Sequence, residues 1–202
     1  MRLFVTGIGT EVGKTVIAAI LTEALEADYW KPVQAGDLDY SDTHKVRDLV
    51  SNDKSVFHPE THALNHPMSP HAAAERDGVE ISLDDFQLPQ TENNLIVEGA
   101  GGLMVPLNSK DCIIDLIEKL DIEVVLVSRN YLGSINHTLL SVEALQNRSI
   151  KIRGIIFNDK ENKDTESVIL KMTGLKCLGR VEFEENLSSE SISRLAVKFK
   201  QI

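Results

Sequence analysis

Apolar residues in this chain gather into short runs separated by longer stretches of helical spacing. Runs rich in β-branched and aromatic side chains predict strands at Arg2–Thr6, Tyr29–Val33, Leu95–Glu98, Glu123–Ser128 and Arg153–Asn158, with a weaker one near Lys176–Val181. Between them, amphipathic spacing predicts helices near Lys14–Ala27, Asp42–Val50, Ile113–Leu120, Ser134–Gln146, Asp164–Thr173 and Ser189–Lys200. Strands that are apolar almost throughout belong to a parallel sheet covered on both faces. The alternation therefore predicts an α/β fold, a mostly parallel sheet with helices on both sides. Asp53 to Gln90 holds four of the six prolines and little periodicity. It is expected to be a long excursion with short helices over one edge of the sheet. No repeat or linker divides the chain, so one domain over 1–202 is expected.

The predicted junction of the first strand and helix carries Gly7 to Thr15, GIGTEVGKT. A strand, a glycine-rich turn and a helix N-terminus aim backbone N–H groups at a phosphate chain. Lys14 can reach the terminal phosphates and Thr15 can offer its hydroxyl to Mg²⁺. Five residues separate Gly7 from Gly13, where a P-loop usually has four. The dinucleotide pattern fails, because its third glycine would fall on Val12. A plain strand-to-helix turn is the alternative. Loop, sheet and helices together predict a three-layer P-loop NTPase-like fold.

Parallel sheets bind ligands at the carboxyl ends of their strands. Lys31, Glu98, Ser128 to Gly133 and Asn158-Asp159 all fall at such ends. Glu98, followed by Gly99-Ala100-Gly101-Gly102, can hold Mg²⁺ opposite Thr15, or be a solvated acid in a tight turn. Asp42 begins a helix after Ser41 and has a helix cap as its alternative role. Lys31 can neutralise charge during transfer, or be a solvated strand-edge lysine. His58, His62 and His66 recur at four-residue spacing, but Pro59 and Pro67 interrupt them and no acidic or cysteine partner is obvious, so no transition-metal site is expected.

A net charge of −10 argues against nucleic-acid binding, which needs a basic surface. A local nest of N–H groups can still hold a triphosphate. No apolar run approaches membrane-spanning length. Cys112 and Cys177 are far apart, and no leader precedes the first strand, so a reduced, cytoplasmic protein is expected.

The combination of motifs resembles the dethiobiotin synthase family over almost the whole chain. The residues that carry the resemblance are GIGTEVGKT from Gly7, KPVQAG from Lys31, Ser41-Asp42, Ser69-Pro70-His71, VEGAGGLMVPL from Val97, LGSINHTLL from Leu132 and GIIFND from Gly154. The five-residue spacing is typical of that family's loop. The resemblance implies that 7,8-diaminononanoate, CO2 and ATP with Mg²⁺ give dethiobiotin, ADP and phosphate. It implies a metal set of Thr15, Asp42 and Glu98, and catalytic roles for Thr10, Lys14 and Lys31. Thr10, Glu11, Val12, Gly13, Lys14, Thr15, Val16, Glu98, Asn158 and Asp159 would contact the nucleotide, with Asn158 reading adenine. Lys31, Ala35, Gly99, Ala100, Gly101, Gly102 and Leu103 would meet substrate. Gly133, Ser134, Ile135 and Asn136 would meet its carboxylate across a homodimer interface. Ala35 stands where the family usually has Ser or Thr, so one hydroxyl contact is missing or replaced. Arg180 to Ser189 does not align with the family's base-binding loop.

Two other readings compete. A positioning ATPase of the MinD/ParA type usually has a further lysine early in its loop, where this chain has Gly9. A cobyrinate amidotransferase-like ligase normally needs a glutaminase domain, for which this chain is too short.

Overall fold

The computed structural model describes residues 1–202. Its first half contains β1 (Arg2–Gly7), α1 (Lys14–Leu25), β2 (Asp28–Trp30), β3 (Val33–Ala35), α2 (Asp42–Leu49), β4 (Phe57–His58), β5 (His62–Leu64), α3 (Pro70–Asp77) and β6 (Leu95–Gly102). The second half contains α4 (Ile113–Leu120), β7 (Glu123–Arg129), α5 (Ser134–Asn147), β8 (Ile152–Asn158), α6 (Lys163–Thr173), β9 (Cys177–Val181) and α7 (Ser189–Ala196). Seven strands form one parallel sheet in the order β4-β2-β6-β1-β7-β8-β9.

The two-faced burial of this sheet explains its apolar strands. Leu3, Val5, Ile96, Val125, Val127 and Ile156 pack into one core with α1 and α7. Their neighbours Phe4, Leu95, Val97 and Val124 face a second core with α4, and Leu126, Ile155 and Phe157 face a third with α5 and α6. Successive side chains on a strand point to opposite faces, so burial on both faces leaves no room for a polar alternation. Helices on both sides make the fold three-layered α/β.

The strand expected over Tyr29–Val33 is broken in two. Pro32 has no N–H to give to a ladder, and β2 ends at Trp30. The chain resumes as β3, which pairs with β5 in a separate two-stranded parallel sheet. The Pro32 carbonyl instead accepts the N–H groups of Thr61 and His62, each at 3.0 Å. The excursion thus contributes two short strands besides the expected helix. Helix α3 starts with Pro70 in its first turn and ends at Gly78 with φ 67°, a start and stop readable from those residues. The last helix is shorter than expected: α7 ends at Ala196 and a 3₁₀ turn covers Val197–Phe199.

Candidate active site

Strand β1 lies between β6 and β7, so the chain leaves the carboxyl end of β1 at a point where the connections diverge to both sides. The Gly7–Thr15 loop occupies that point. Gly13 has φ 92°, and a Cβ there would come within 2.1 Å of Asn158 Nδ2. Only glycine fits both the backbone and the contact. Asn158, at the end of β8, donates that amide to the Val12 carbonyl at 2.8 Å. The Val12 side chain is buried in the core, so only its backbone faces the site. Arg129 closes the loop from β7, donating to the Glu11 carbonyl at 3.3 Å and to Asp159 Oδ2 at 2.9 Å.

Lys14 folds back over the loop, its Nζ donating to the Gly9 carbonyl at 2.9 Å. Burial pulls its pKa down to about 8, and the Lys31 charge adds to that pull while Glu98 and Asp42 oppose it.

Lys31 is 5 % exposed. This is not a solvated edge lysine: its Nζ bonds Asp42 Oδ2 and lies 3.2 Å from Glu98 Oε1. Burial would lower its pKa, but the two carboxylates prevail and raise it. Asp42 is correspondingly held low, because Lys31 and Lys45 outweigh the effect of burial. The cap of α2 belongs to Ser41, and the Asp42 carboxylate is free for the two lysines. Gln34 braces this turn, its Nε2 donating to the Gly36 carbonyl at 2.9 Å and its Oε1 accepting from Asp42 N at 3.3 Å.

Glu98, 1 % exposed, takes three donors. Thr15 Oγ1 donates to Oε1 at 2.8 Å, Lys31 to the same oxygen, and the Tyr29 hydroxyl to Oε2 at 2.7 Å. Thr15, Asp42 and Glu98 thus come together from three elements. Their donors are all oxygen, as a hard cation requires, and no cluster of three or more His, Cys, Asp or Glu is present. Two carboxylates and a hydroxyl beside a phosphate loop fit Mg²⁺, which usually takes few protein ligands and completes its shell with phosphate and water.

Two cavities meet here. One of about 920 Å³ is lined by Thr10, Glu11, Gly13, Lys14, Thr15 and Val16 along the loop. The other, about 530 Å³, is lined by Gln34, Ala35, Pro67 to Pro70, Ala100 and Gly101. Lys31 and Asp42 belong to both walls. Asn158 and Asp159 line a third cavity of about 210 Å³, closed by Val181 to Glu184 and Leu187.

The glycine-rich end of β6 is shaped by the protein itself. A Cβ on Gly99 would lie 2.7 Å from the Phe4 ring, whereas one on Gly102 would only touch Gly7 and Gly9 at 3.4 Å. Gly102 and Leu103 border a further cavity of about 390 Å³ with His137 and Leu140. Gly133, Ser134, Ile135 and Asn136 line none of these cavities. They form the start of α5, beside the exposed Tyr131, Leu132 and Leu140.

The three spaced histidines do not share a helix face. His58 meets Asp28 at 3.0 Å, His62 meets Asp85 at 2.9 Å and His66 meets Asp77 at 3.5 Å. The acidic partners come from distant segments, which spacing does not reveal. Tyr29 and Lys45 lie outside every candidate-site stretch that the sequence marks, whereas Gln34 lies in KPVQAG and Arg129 in Ser128 to Gly133, where residue type alone does not announce their partners. Tyr29 reaches Glu98 through the β2–β6 pairing and Arg129 reaches Asp159 through β7–β8, while Lys45 meets Asp42 within α2 and Gln34 braces a nearby turn.

A protein-family model described as an AAA domain matches residues 1–191. The chain is 58 % identical over 198 residues to the ATP-dependent dethiobiotin synthetase BioD of Christiangramia forsetii, covering 98 % of this chain and 95 % of that protein. Proteins of the same name from Cytophaga hutchinsonii and Chlamydia felis are 52 % and 42 % identical, covering 98 % and 100 % of this chain and 96 % and 95 % of theirs. Among solved structures, MinD of Pyrococcus horikoshii superposes with a TM-score of 0.63 at 11 % identity, covering 97 % of this chain and 95 % of that one. A ParA family ATPase of Chlorobium tepidum gives 0.53 at 15 %, covering 97 % of both chains. Those two likenesses concern the fold alone.

Proposed function

The chain belongs to the ATP-dependent dethiobiotin synthetase family, and on that premise we propose how its residues carry out the reaction. The enzyme is an ATP-dependent ligase that forms dethiobiotin. Its substrates in this reading are 7,8-diaminononanoate, CO2 and ATP.

One substrate amine adds to CO2, loses a proton and becomes a carbamate. A carbamate oxygen then attacks the γ-phosphorus and ADP departs, which leaves a carbamic–phosphoric anhydride. The second amine attacks the carbamoyl carbon, phosphate leaves with the C–O bond electrons, and loss of the amine proton completes the ureido ring. A carbamate resists acyl attack until its oxygen is part of a good leaving group, so the protein's task is to orient the reactants and stabilise charge.

The single observation that carries this assignment is Lys31, buried between Asp42 and Glu98 where two cavities share a wall. The phosphates lie along the Thr10–Val16 loop with Lys14 on the β- and γ-groups, and diaminononanoate enters the cavity beside Ala35 and Gly101. The Lys31 ammonium then faces the carbamate and the transferring phosphoryl group together. Thr15, Asp42 and Glu98 would hold Mg²⁺, which supplies charge neutralisation to the phosphates. The base occupies the cavity at Asn158 and Asp159. The loop Glu182 to Leu187 would complete that cavity and contribute further contacts to the base.

The 202 residues act as one P-loop NTPase-like domain in this reading, and the enzyme is a cytoplasmic homodimer. Two free thiols suit a reducing compartment. The dimer is supported by exposed Met104, Tyr131, Leu132 and Leu140 near the start of α5. The N–H groups at Gly133 to Asn136 would take the carboxylate of substrate bound in the partner.

The purified protein should release ADP only with diaminononanoate and bicarbonate both present, with dethiobiotin appearing in equal amount. ATP turnover indifferent to diaminononanoate would overturn the reading.

A further inference from the structure

Tyr29 is completely buried beneath the site, on β2, packed near Phe57 with ring centroids 6.3 Å apart. Phenylalanine would fill nearly the same volume, so packing does not account for the hydroxyl. A phenol in an apolar core is unfavourable unless it is bonded. Its one bond is the 2.7 Å donation to Glu98 Oε2. Glu98 Oε1 is meanwhile turned to Thr15 and Lys31.

We propose that Tyr29 is a positioning residue which locks the rotation of the Glu98 carboxylate, holding one oxygen in the core so that the other faces Thr15 and the phosphate loop. The terminal torsion of a glutamate is soft and nearly two-fold, so the two donors on the site side would not by themselves fix it. Tyr29 occupies the core side and Thr15 and Lys31 the site side, and the carboxylate plane is determined by both. Ligand-orienting partners of this kind commonly change metal affinity when removed. The proposal rests on the assignment of Glu98 to Mg²⁺ made above.

The test is calorimetric binding of a non-hydrolysable ATP analogue to the full chain, with Mg²⁺ and again with EDTA, for wild type, Tyr29→Phe and Glu98→Gln. Tyr29→Phe should bind within about twofold of wild type in EDTA and about tenfold more weakly with Mg²⁺. The Mg²⁺ concentration for half-maximal dethiobiotin formation should rise by about tenfold, with kcat restored to within about threefold at saturating Mg²⁺. A role in stability alone would lower Tm and leave the ratio of the two affinities at the wild-type value, which overturns the proposal. If Glu98→Gln also leaves that ratio unchanged, the assignment of Glu98 to Mg²⁺ falls, and the role of Tyr29 falls with it. If Glu98→Gln changes the ratio and Tyr29→Phe does not, only the Tyr29 proposal fails.

A second measurement leaves the Tyr29 hydroxyl in place. The three tyrosines can be replaced by 3-fluorotyrosine, and Tyr29 identified by removing Tyr40 and Tyr131 with phenylalanine. The Tyr29 fluorine resonance should move on adding the analogue with Mg²⁺ and stay near its starting position with the analogue and EDTA. An equal response in both conditions overturns the proposal.

Discussion

Lys31 Nζ lies 3.2 Å from Glu98 Oε1, although 67 residues separate them in the chain. The contact exists because β2 pairs directly with β6, with Trp30 opposite Val97. One residue further along, Lys31 leaves the end of β2 while Glu98 continues in β6 opposite Val5, and the two side chains meet beside the phosphate loop. A positive charge is thereby held against two carboxylates where two cavities share a wall.

Lys31→Ala should lower kcat by about 10² to 10³, the usual effect of removing one preorganised electrostatic contact. ATP affinity should change by less than about threefold, because the loop and Lys14 remain. Steady-state kinetics beside analogue binding measures both. A kcat near that of wild type would remove Lys31 from the chemistry.

Gly13→Ala should abolish tight nucleotide binding. Its φ of 92° is costly for alanine, and the added Cβ would meet Asn158 Nδ2 at 2.1 Å. The left-handed backbone alone costs about 1–2 kcal/mol. Calorimetry with the ATP analogue checks this, and wild-type affinity would show that the loop adapts.

Asn158→Ala removes the bond to the Val12 carbonyl, worth about 1 kcal/mol, and should lower Tm by about 2–4 °C. It should also raise KM for ATP, since the proposed base contact is lost with it. A fall in Tm at constant KM would assign Asn158 to loop support only.

Glu166 gives the expected acid response. Burial would raise its pKa, but bonds from Arg180, Asn130 and the Asn162 N–H prevail and hold it below the ordinary 4.5. Its stabilisation is therefore complete above the unfolded value and is lost as pH falls through the lower, folded one. At neutral pH, Glu166→Gln should cost about 1–3 kcal/mol. The difference between wild type and variant should shrink below about pH 4.5 in denaturant titrations. A difference independent of pH would mean that the charge of Glu166 contributes nothing.

Much of the architecture was legible because its causes are local or periodic. The apolar strands require two covered faces, and Gly7 to Thr15 builds its turn from neighbouring residues. Misjudged boundaries came from competition that periodicity does not register. Pro32 ended β2 early, and the Val33–Ala35 stretch found its partner in the proline-rich excursion. The histidines show the same limit, since Asp28, Asp77 and Asp85 reach them from segments up to 30 residues away.

By itself, the sequence determined the loop, the strand ends that carry Lys31, Glu98 and Asn158, and the family that joins them. The tertiary structure alone decided how those ends interlock. It set Tyr29 behind Glu98, Gln34 against the start of α2 and Arg129 across the loop to Asp159. It also decided that Lys31 would be a buried bridge between two cavities, where its residue type and position equally allow a solvated charge. The physical reason is strand order: β6 enters the sheet between β1 and β2, and that pairing depends on packing of both faces at once rather than on any local pattern.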